Sequence, residues 1–311
     1  MKSIVAIIGP TAVGKSELAL TLAEKYGGEI VSTDSRQVYR YMNIGTAKPE
    51  PQQRLKVNHH LIDLIDPDQE FSLALYQKLA FQAITSCLAR GHLPLLVGGS
   101  GLYVWSVLEG WKIPQVPPDY SLRHGLEQRA KSEGGLSLYR ELQALDPEAA
   151  RQIDWHNLRR VIRALEVCQT TGVPFSQMQN KQPPDFTALI IGLTTSREDL
   201  YRRIDLRVDR MIEQGLVDEV KGLLDRGYGL DLPALSSLGY RQIGLFLDGK
   251  LSLDDAIQQI KFETHRFARH QYAWFRSNDK RIQWFDVRQD FVAKATELVR
   301  DFAFRAERAR V

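Results

Sequence analysis

The stretch Ile4–Ser16, which reads Ile-Val-Ala-Ile-Ile-Gly-Pro-Thr-Ala-Val-Gly-Lys-Ser, decides the fold of this chain. Its first five residues are apolar without interruption, as in a parallel strand that is buried on both faces. A glycine-containing turn follows, and from Lys15 to Lys25 the apolar residues recur at helical spacing. A strand, a glycine turn and a helix in this order predict an α/β unit.

The turn matches the phosphate-loop pattern G-x-x-x-x-G-K-[ST], in the strand-to-helix context that the pattern requires. Backbone N–H groups of such a loop form a positive nest for phosphate oxygens. Lys15 adds a charge that reaches the terminal phosphate, and Ser16 can ligate Mg²⁺. The predicted diphosphate-binding residues are Gly9, Pro10, Thr11, Ala12, Val13, Gly14, Lys15 and Ser16. The pattern does not identify the reaction, because a kinase would hold ATP phosphates there and a prenyltransferase would hold a pyrophosphate leaving group.

Further apolar runs extend the α/β pattern. The segments Glu29–Thr33, Leu93–Val97 and Leu189–Leu193 are short and apolar, as buried strands are. Helical periodicity covers Phe71–Arg90. Strands that alternate with helices predict a mainly parallel sheet flanked by helices, and the phosphate loop makes this a P-loop NTPase-like core. Ligands of such sheets lie at the carboxyl ends of the strands.

A helical segment interrupts the α/β pattern. Three prolines between residues 114 and 118 mark a linker, and helical periodicity then continues to about Thr171. An apolar strand pattern returns afterwards. We therefore predict an all-helical insertion at residues 114–186, within a core formed by residues 1–113 and 187–311.

The bulk composition is ordinary for a soluble globular protein, with 311 residues, 43% of them hydrophobic and 25% charged. The run Ile4–Ile8 is too short for a signal peptide, and no segment approaches the roughly 20 apolar residues of a membrane span. Cys87 and Cys168 lack metal-ligand spacing and lie in apolar helical patterns, which predicts reduced core residues. We expect a cytoplasmic protein that does not bind membranes.

The net charge of +3 is small, but basic residues are grouped along the chain. The groups begin at Arg159, at Arg202 and at Lys261. Such groups suit a polyanionic partner, and they are equally typical of solvated helix faces.

Several segments in the same order resemble the bacterial tRNA dimethylallyltransferases, also called tRNA isopentenyltransferases, which modify the adenosine 3′ of the anticodon. The resemblance covers the chain from Ile4 to about Trp284. The segments that carry it are Ser32–Tyr39, Asn43–Pro49, His59–Asp63, Gly98–Tyr103, Arg163–Val167, Gly239–Gln242, Arg269–Gln271 and Trp274–Arg276.

The resemblance implies dimethylallyl diphosphate as the donor and the anticodon stem-loop of tRNA as the acceptor. The phosphate-loop pattern predicts Mg²⁺ as the cofactor, with Ser16 as a ligand. We expect a monomer. Asp34 would be the general base, and Thr11 and Arg207 would stabilise the leaving pyrophosphate. The insertion would be a tRNA-binding domain. The implied tRNA contacts are Asp34, Ser35, Arg36, Gln37, Ser100, Arg123, Arg159, Arg160, Val161, Ile162 and Arg163.

The residues support these roles in part. A carboxylate near the exocyclic amine of adenine is useful because that amine is a poor nucleophile, although Asp34 could instead cap the next element or hold a Mg²⁺-bound water. Arg203, Arg207 and Arg210 share one helical face, where they could neutralise a diphosphate. The alternative for this stripe is salt bridging with Asp205 and Asp209 on the same helix.

Two departures from the family pattern stand out. Ser100 replaces a more usual threonine, and the zinc finger of eukaryotic members has no counterpart in the Cys/His spacing. Two other functions remain open at this point: prenyl transfer to free AMP, ADP or ATP, and phosphoryl transfer by a P-loop small-molecule kinase. The basic insertion argues against the first, and the Gly45–Pro49 segment argues against the second.

Overall fold

The structure is a computed structural model that describes residues 2–114, 116–178 and 180–308, the last five of these by their backbone only. The chain divides into two compact units, of which the first combines residues 1–108 with 184–311 and the second consists of residues 109–183. No helix among the described residues has the length and apolar content needed to cross a membrane.

The first unit contains a parallel sheet. In the described part of the chain six strands lie in the order β3-β2-β4-β1-β5-β6, and all neighbouring pairs are parallel. The strands are β1 (Ser3–Ile8), β2 (Gly28–Ser32), β3 (His59–His60), β4 (Leu93–Gly98), β5 (Thr187–Thr194) and β6 (Ile282–Asp286). The predicted α/β fold with a mainly parallel sheet is confirmed.

Strand β1 lies between β4 and β5, and its residues Ile4–Ile8 are fully buried. This burial is the physical reason for the uninterrupted apolar run in the sequence. Because β2, β4 and β1 are adjacent and parallel, the loops that follow them meet at one edge of the sheet. The phosphate loop, Asp34 and Gly99 are brought together in this way.

The helices connect and flank these strands. In chain order they are α1 (Lys15–Tyr26), α2 (Pro51–Lys56), α3 (Leu73–Ala89), α4 (Gly101–Leu108), α5 (Tyr120–Glu133), α6 (Gly135–Leu145), α7 (Pro147–Gln152), α8 (Leu158–Thr171), α9 (Arg197–Glu213), α10 (Leu216–Asp225), α11 (Tyr240–Leu247), α12 (Leu253–Trp274) and α13 (Val292–Arg308). Helix α1 begins directly after Gly14 and ends at Gly27, whose φ of 59° is the left-handed conformation typical of a helix C-terminus.

The second unit is built from helices α5 to α8 and a short 3₁₀ turn, Phe175–Met178. Its core packs Leu138, Leu142 and Leu165, which are completely buried, against Phe175. Helix α8 carries the apolar face of this core, while its opposite face presents arginines. The sequence predicts the insertion at 114–186, and the structural unit begins and ends a few residues earlier.

Candidate active site

A cavity of about 1850 Å³ lies where the loops after β1, β2 and β4 meet, and all of its lining residues belong to the first unit. Residues of the phosphate loop, the Asp34–Gln37 turn, Gly98–Ser100 and helix α9 line it. Typical small-molecule pockets measure roughly 300–1000 Å³. The cavity therefore has room for a small diphosphate and a second substrate group together.

The phosphate loop adopts a conformation that requires glycine at both ends. Gly9 has a φ of 143° and Gly14 a φ of 102°, and a Cβ on Gly9 would lie 2.5 Å from the carbonyl oxygen of Leu193. Lys15 folds back over the loop, where its Nζ donates a hydrogen bond of 2.6 Å to the carbonyl of Pro10. The lysine charge is thus held against the backbone of the loop.

Lys15 and Arg207 are two cations that line the cavity, and the charge of Arg207 disfavours the charged form of Lys15. Burial and, to a smaller extent, the charge of Arg207 lower the pKa of Lys15 to about 7, against the opposing effect of the Asp34 carboxylate. Burial likewise lowers the pKa of Arg207, again against the attraction of Asp34. The two cations outnumber the carboxylate, so the site is suited to an anion that carries more than one charge.

Arg207 makes no hydrogen bond or ion pair with the described residues, apart from its longer-range attraction to Asp34. The aspartates of its own helix point elsewhere, since Asp205 accepts a bond of 2.8 Å from His265 and Asp209 pairs with Lys261 at 2.6 Å. Salt bridging within helix α9, the alternative explanation of the arginine stripe, is therefore wrong for Arg207. The guanidinium remains available to a ligand in the cavity.

A glutamine that the sequence analysis did not single out fixes the phosphate loop. Gln271 of helix α12 accepts a hydrogen bond of 2.7 Å from the N–H of Thr11 and donates one of 3.0 Å to the carbonyl of Gly99. The side chain is only 5% exposed. A Cβ on Gly99 would lie 2.2 Å from the Gln271 amide nitrogen, so glycine is required there. Gln271 thereby ties the loop after β1 to the loop after β4.

Asp34 lies two residues after the end of β2, and its carboxylate is held in a turn. The Oδ1 atom accepts hydrogen bonds from the N–H groups of Arg36, at 2.8 Å, and Gln37, at 3.4 Å. The Oδ2 atom makes no hydrogen bond with the described residues, and Asp34 lines the cavity. The capping role considered for Asp34 therefore uses one oxygen and leaves the other free to meet a substrate.

The remaining residues of this turn differ in availability. Gln37 is occupied within the protein, because it accepts from the Ser32 hydroxyl at 3.0 Å and donates to the carbonyls of Thr46 and Ala47 at 3.2 Å each. Arg36 donates to the carbonyl of Pro233, and Ser35 and Ser100 line the cavity. Gln37 thus joins two loops of the cavity wall.

A second organising residue, Glu219 of helix α10, was also missed by sequence reasoning. Its carboxylate accepts hydrogen bonds from the N–H groups of Asn43 and Ile44, at 2.8 Å each, and of Gly45, at 3.2 Å. It accepts a further one from the Tyr240 hydroxyl at 2.6 Å, and its charge, with burial, raises the pKa of that hydroxyl. These contacts give the Gly45–Pro49 wall a fixed shape. No local sequence pattern links Glu219 to this loop, so the contacts could not be predicted from the sequence.

The predicted metal ligand Ser16 lies on the second residue of α1 and lines the cavity. The same cavity is lined by the hydroxyl-bearing residue Thr11 and by the carboxylate residue Asp34. Oxygen donors are what Mg²⁺ prefers, and substrate phosphates commonly complete its coordination. The residues present therefore fit a magnesium ion bound together with a diphosphate.

The tRNA contacts expected in the second unit divide into three kinds. Arg123 and Arg163 both pair with the fully buried Glu166, at 2.9 Å and 2.6 Å. Val161 and Ile162 are buried in the core of that unit, so their side chains do not reach solvent. The other two residues of the stretch, Arg159 and Arg160, are exposed and ion-pair with none of the described residues. None of these positions lines the cavity of the first unit.

Comparisons with known proteins agree with the site. The family model described as IPP transferase matches residues 37–278, and that described as isopentenyl transferase matches residues 2–66. A tRNA dimethylallyltransferase of Thermomicrobium roseum is 52% identical over 288 residues, which cover 93% of this chain and 87% of the relative. One from Roseiflexus castenholzii is 50% identical over 300 residues, with 96% and 98% covered.

Solved structures are similar as well. The full-length tRNA isopentenylpyrophosphate transferase of Bacillus halodurans matches with a TM-score of 0.73 and 42% identity, covering 99% of this chain and 98% of that one. A eukaryotic dimethylallyltransferase, whose crystal structures follow its action on tRNA, matches with a TM-score of 0.82 and 26% identity, covering 98% of this chain and 80% of that one.

Proposed function

Since this chain belongs to the IPP transferase family, we propose that its cavity joins dimethylallyl diphosphate to the exocyclic amine of the tRNA adenosine next to the anticodon. It is a prenyltransferase that modifies tRNA, as are the relatives named above. The donor, the target atom and the role of each side chain are the proposal. The observation that carries it is that Lys15, Arg207 and Asp34 line one cavity with the phosphate loop, and that the Asp34 carboxylate acts electrostatically on both cations.

The diphosphate of the donor lies on the phosphate loop. Backbone N–H groups at the start of α1 bind its oxygens, and Lys15 and Arg207 balance its charge. As the C1–O bond of the donor breaks, the pyrophosphate gains negative charge, and groups already aimed at that charge stabilise the transition state. The Thr11 hydroxyl lies on the same loop and has no partner among the described residues, so it can donate to the leaving group.

Asp34 acts on the acceptor. The adenosine N6 attacks C1 of the dimethylallyl group, a C–N bond forms, and the Oδ2 atom of Asp34 takes the proton that N6 loses. The turn that binds Oδ1 fixes the direction of the carboxylate. The products are N6-(dimethylallyl)adenosine in tRNA and diphosphate.

Ser16 would help to hold a Mg²⁺ ion beside the diphosphate, and this ion would supply additional charge neutralisation. The target nucleotide must leave its stack to reach the cavity, at a cost on the order of a few kcal/mol. An anticodon loop is a favourable source of such a nucleotide, because its bases are already partly splayed. The volume of about 1850 Å³ accommodates that base beside the donor.

The decisive experiment incubates the protein with labelled dimethylallyl diphosphate, Mg²⁺ and either unmodified tRNA or AMP. We expect label in tRNA only, at a single adenosine, with an equal amount of diphosphate released. Label in AMP alone would establish the adenylate transferase instead. Label in neither acceptor, together with phosphate transfer in a parallel incubation with ATP, would establish a kinase and overturn the proposal.

A further inference from the structure

Away from the cavity, three side chains with different metal-binding atoms converge on one point of the first unit. The ligand atoms of Glu29, His60 and Cys87 all lie within 4.8 Å of one another. His60 Nε2 is 2.6 Å from Glu29 Oε2, and Cys87 Sγ is 3.4 Å from the same oxygen and 3.5 Å from the His60 nitrogen. Glu29 and Cys87 are buried, and His60 is half-buried.

The three residues come from three separate elements. Glu29 lies on β2, His60 on the edge strand β3, and Cys87 near the end of α3. A site here is distinct from the cavity, because Glu29 precedes Asp34 by five positions along the β2 direction. At ~3.3 Å per strand residue, this places it roughly 15 Å from the candidate base.

We propose that Glu29, His60 and Cys87 bind a thiophilic divalent cation, with Zn²⁺ as the expected metal. A carboxylate oxygen, an imidazole nitrogen and a thiolate sulfur are the three ligand types that Zn²⁺ uses in proteins, at distances of roughly 2.0–2.3 Å. The thiolate disfavours Mg²⁺ and Ca²⁺, which prefer oxygen. The Nδ1 atom of His92 is 2.5 Å from the other oxygen of Glu29, and this contact fixes the orientation of the carboxylate.

Metal binding changes the protonation of one of the three ligands. The Cys87 thiol releases its proton to solvent and its sulfur donates an electron pair to the cation. The neutral His60 ring donates the Nε2 lone pair, with its proton on Nδ1, and Glu29 donates a carboxylate oxygen. Thiolate and carboxylate together neutralise the two charges of the metal.

Arg90 is the competitor of the metal for Glu29. Its Nη2 atom is 2.9 Å and 2.7 Å from the two carboxylate oxygens of Glu29, and its Nη1 bonds the Ser86 hydroxyl. The Arg90 side chain is 45% exposed, so it can turn into solvent when a divalent cation takes its place. A cavity of about 420 Å³ is lined by His60 and Ser86 among others, so one of the three ligands borders a solvent-filled space.

A metal at this position would tie the two-residue edge strand β3 to helix α3 and to β2. The function that follows is structural, because the ligands lie away from the reacting atoms. Binding to the folded chain raises its melting temperature by linkage.

The experiment titrates the chelator-treated full chain with Cd²⁺ and follows the ultraviolet charge-transfer band of a cadmium thiolate. Zn²⁺ affinity is then measured by competition with a chromophoric chelator, and excess Mg²⁺ occupies oxygen-donor sites throughout. We expect one ion per chain and a melting temperature several degrees higher with Zn²⁺. The Cys168→Ala variant is the matched control, because its cysteine is buried in the second unit, and it should behave as wild type.

The Cys87→Ala variant should lose the cadmium band and at least tenfold in Zn²⁺ affinity. The Arg90→Ala variant should bind Zn²⁺ more tightly than wild type, because the competing cation is gone. If Cys87→Ala does not fold, His60→Gln provides the same test with the thiol retained. Absence of stoichiometric binding in wild type, a band that persists without Cys87, or a band that disappears without Cys168 would each overturn the proposal.

Discussion

At the scale of single residues, the site depends on one carboxylate whose two oxygens have different partners. The Oδ1 atom of Asp34 is held by backbone N–H groups, while Oδ2 is left to the substrate. A substitution that still accepts the backbone hydrogen bonds but cannot take up a proton therefore tests the general-base role without disturbing the turn. Asparagine does so, because its carbonyl oxygen accepts hydrogen bonds and its amide takes no proton.

We therefore expect Asp34→Asn to lower kcat by about 10²–10⁴-fold, the usual contribution of general base catalysis. Affinity for the donor diphosphate should change little. Single-turnover transfer to tRNA and equilibrium binding of pyrophosphate measure the two effects. Asp68→Asn, at an exposed aspartate, is the matched control and should retain wild-type rates; a binding defect in Asp34→Asn equal to its rate defect would contradict the base assignment.

The second residue-scale prediction concerns the lysine of the phosphate loop. Its pKa in the ligand-free site is about 7, and a bound diphosphate favours the charged form. Above pH 7 binding must therefore take up a proton, so pyrophosphate affinity should fall by up to about tenfold per pH unit. Below pH 7 the lysine is already charged and this dependence ends.

Calorimetry with inorganic pyrophosphate from pH 6 to 9 measures this dependence. The Lys15→Arg variant is the reference, because arginine stays charged and the titration of the ligand itself is common to both proteins. The ratio of the two affinities should change with pH as described. A constant ratio would show that Lys15 does not titrate in this range.

The same lysine also affects stability without ligand. Its pKa in the folded chain lies below the unfolded value of 10.5, so the folded state binds fewer protons between pH 7 and pH 10.5. The cost of burying the charge is fully present below pH 7 and disappears as pH rises towards 10.5. The buried lysine charge therefore destabilises the ligand-free loop, and a bound anion offsets this cost.

At the scale of elements, helix α12 positions the phosphate loop through Gln271, which bonds one group on each of two loops. Removal of the Gln271 side chain leaves the Thr11 N–H and the Gly99 carbonyl without these partners, which costs about 1–3 kcal/mol of free energy. We expect Gln271→Ala to weaken donor binding and to lower kcat by about tenfold or more. Gln271→Glu should be no better, because its carboxylate cannot donate to the Gly99 carbonyl.

Steady-state kinetics with separate kcat and KM values for donor and tRNA test this positioning role. Gln258→Ala, at an exposed glutamine of the same helix, should leave all of these values unchanged. A loss of thermal stability in Gln271→Ala with normal kinetics in the folded fraction would reduce the residue to a structural contact.

A second element-scale prediction concerns the buried carboxylate of helix α8. Glu166 binds Arg123, Arg163 and the N–H of Asp119, and these partners lower its pKa against the effect of burial. Removing one partner of a buried ion pair costs about 3–5 kcal/mol. We expect Glu166→Gln to lower the unfolding free energy of the second unit by about 3 kcal/mol, since both guanidinium groups reach solvent and cost less when unpaired.

Chemical denaturation followed by fluorescence measures this loss, and Glu148→Gln, at an exposed glutamate, is the control. The stabilisation by Glu166 is fully present above its usual pKa of 4.5 and is lost as pH falls through the lower folded value. Equal stability of the Glu166→Gln variant and wild type at neutral pH would contradict this account.

At the scale of the whole molecule, affinity for tRNA is expected to come largely from phosphate contacts. Arg159 and Arg160 are exposed, and no acidic residue among those described pairs with them. We expect each change to alanine to weaken tRNA binding and to reduce the slope of log K against log salt by about 1. The reduction should not depend on the tRNA sequence.

Filter or fluorescence binding across a salt series checks this expectation. Arg151→Ala is the control, because Arg151 already pairs with Glu148 at 2.8 Å. Arg123→Ala should lower the free energy of unfolding of the second unit and should leave the slope of log K against log salt nearly unchanged. An unchanged slope in both the Arg159 and Arg160 variants would remove this stretch from the tRNA interface.

The sequence by itself determined the α/β core, the phosphate loop and the position of Asp34 after a strand. These features depend on neighbouring residues, because apolar runs, helical periodicity and glycine spacing are read locally. It also indicated the helical insertion. The short strands β3 and β6 were not predicted, because two residues at an edge and a strand with polar members carry little local signal.

Only the tertiary structure decided which side chains meet. The bond from Thr11 to Gln271 spans 260 positions, and Glu219 caps a loop about 175 positions away. In the same way Cys87, which has no metal-ligand spacing along the chain, lies beside Glu29 and His60. The physical reason is that a parallel sheet and its covering helices bring distant segments together, and no local pattern records their partners.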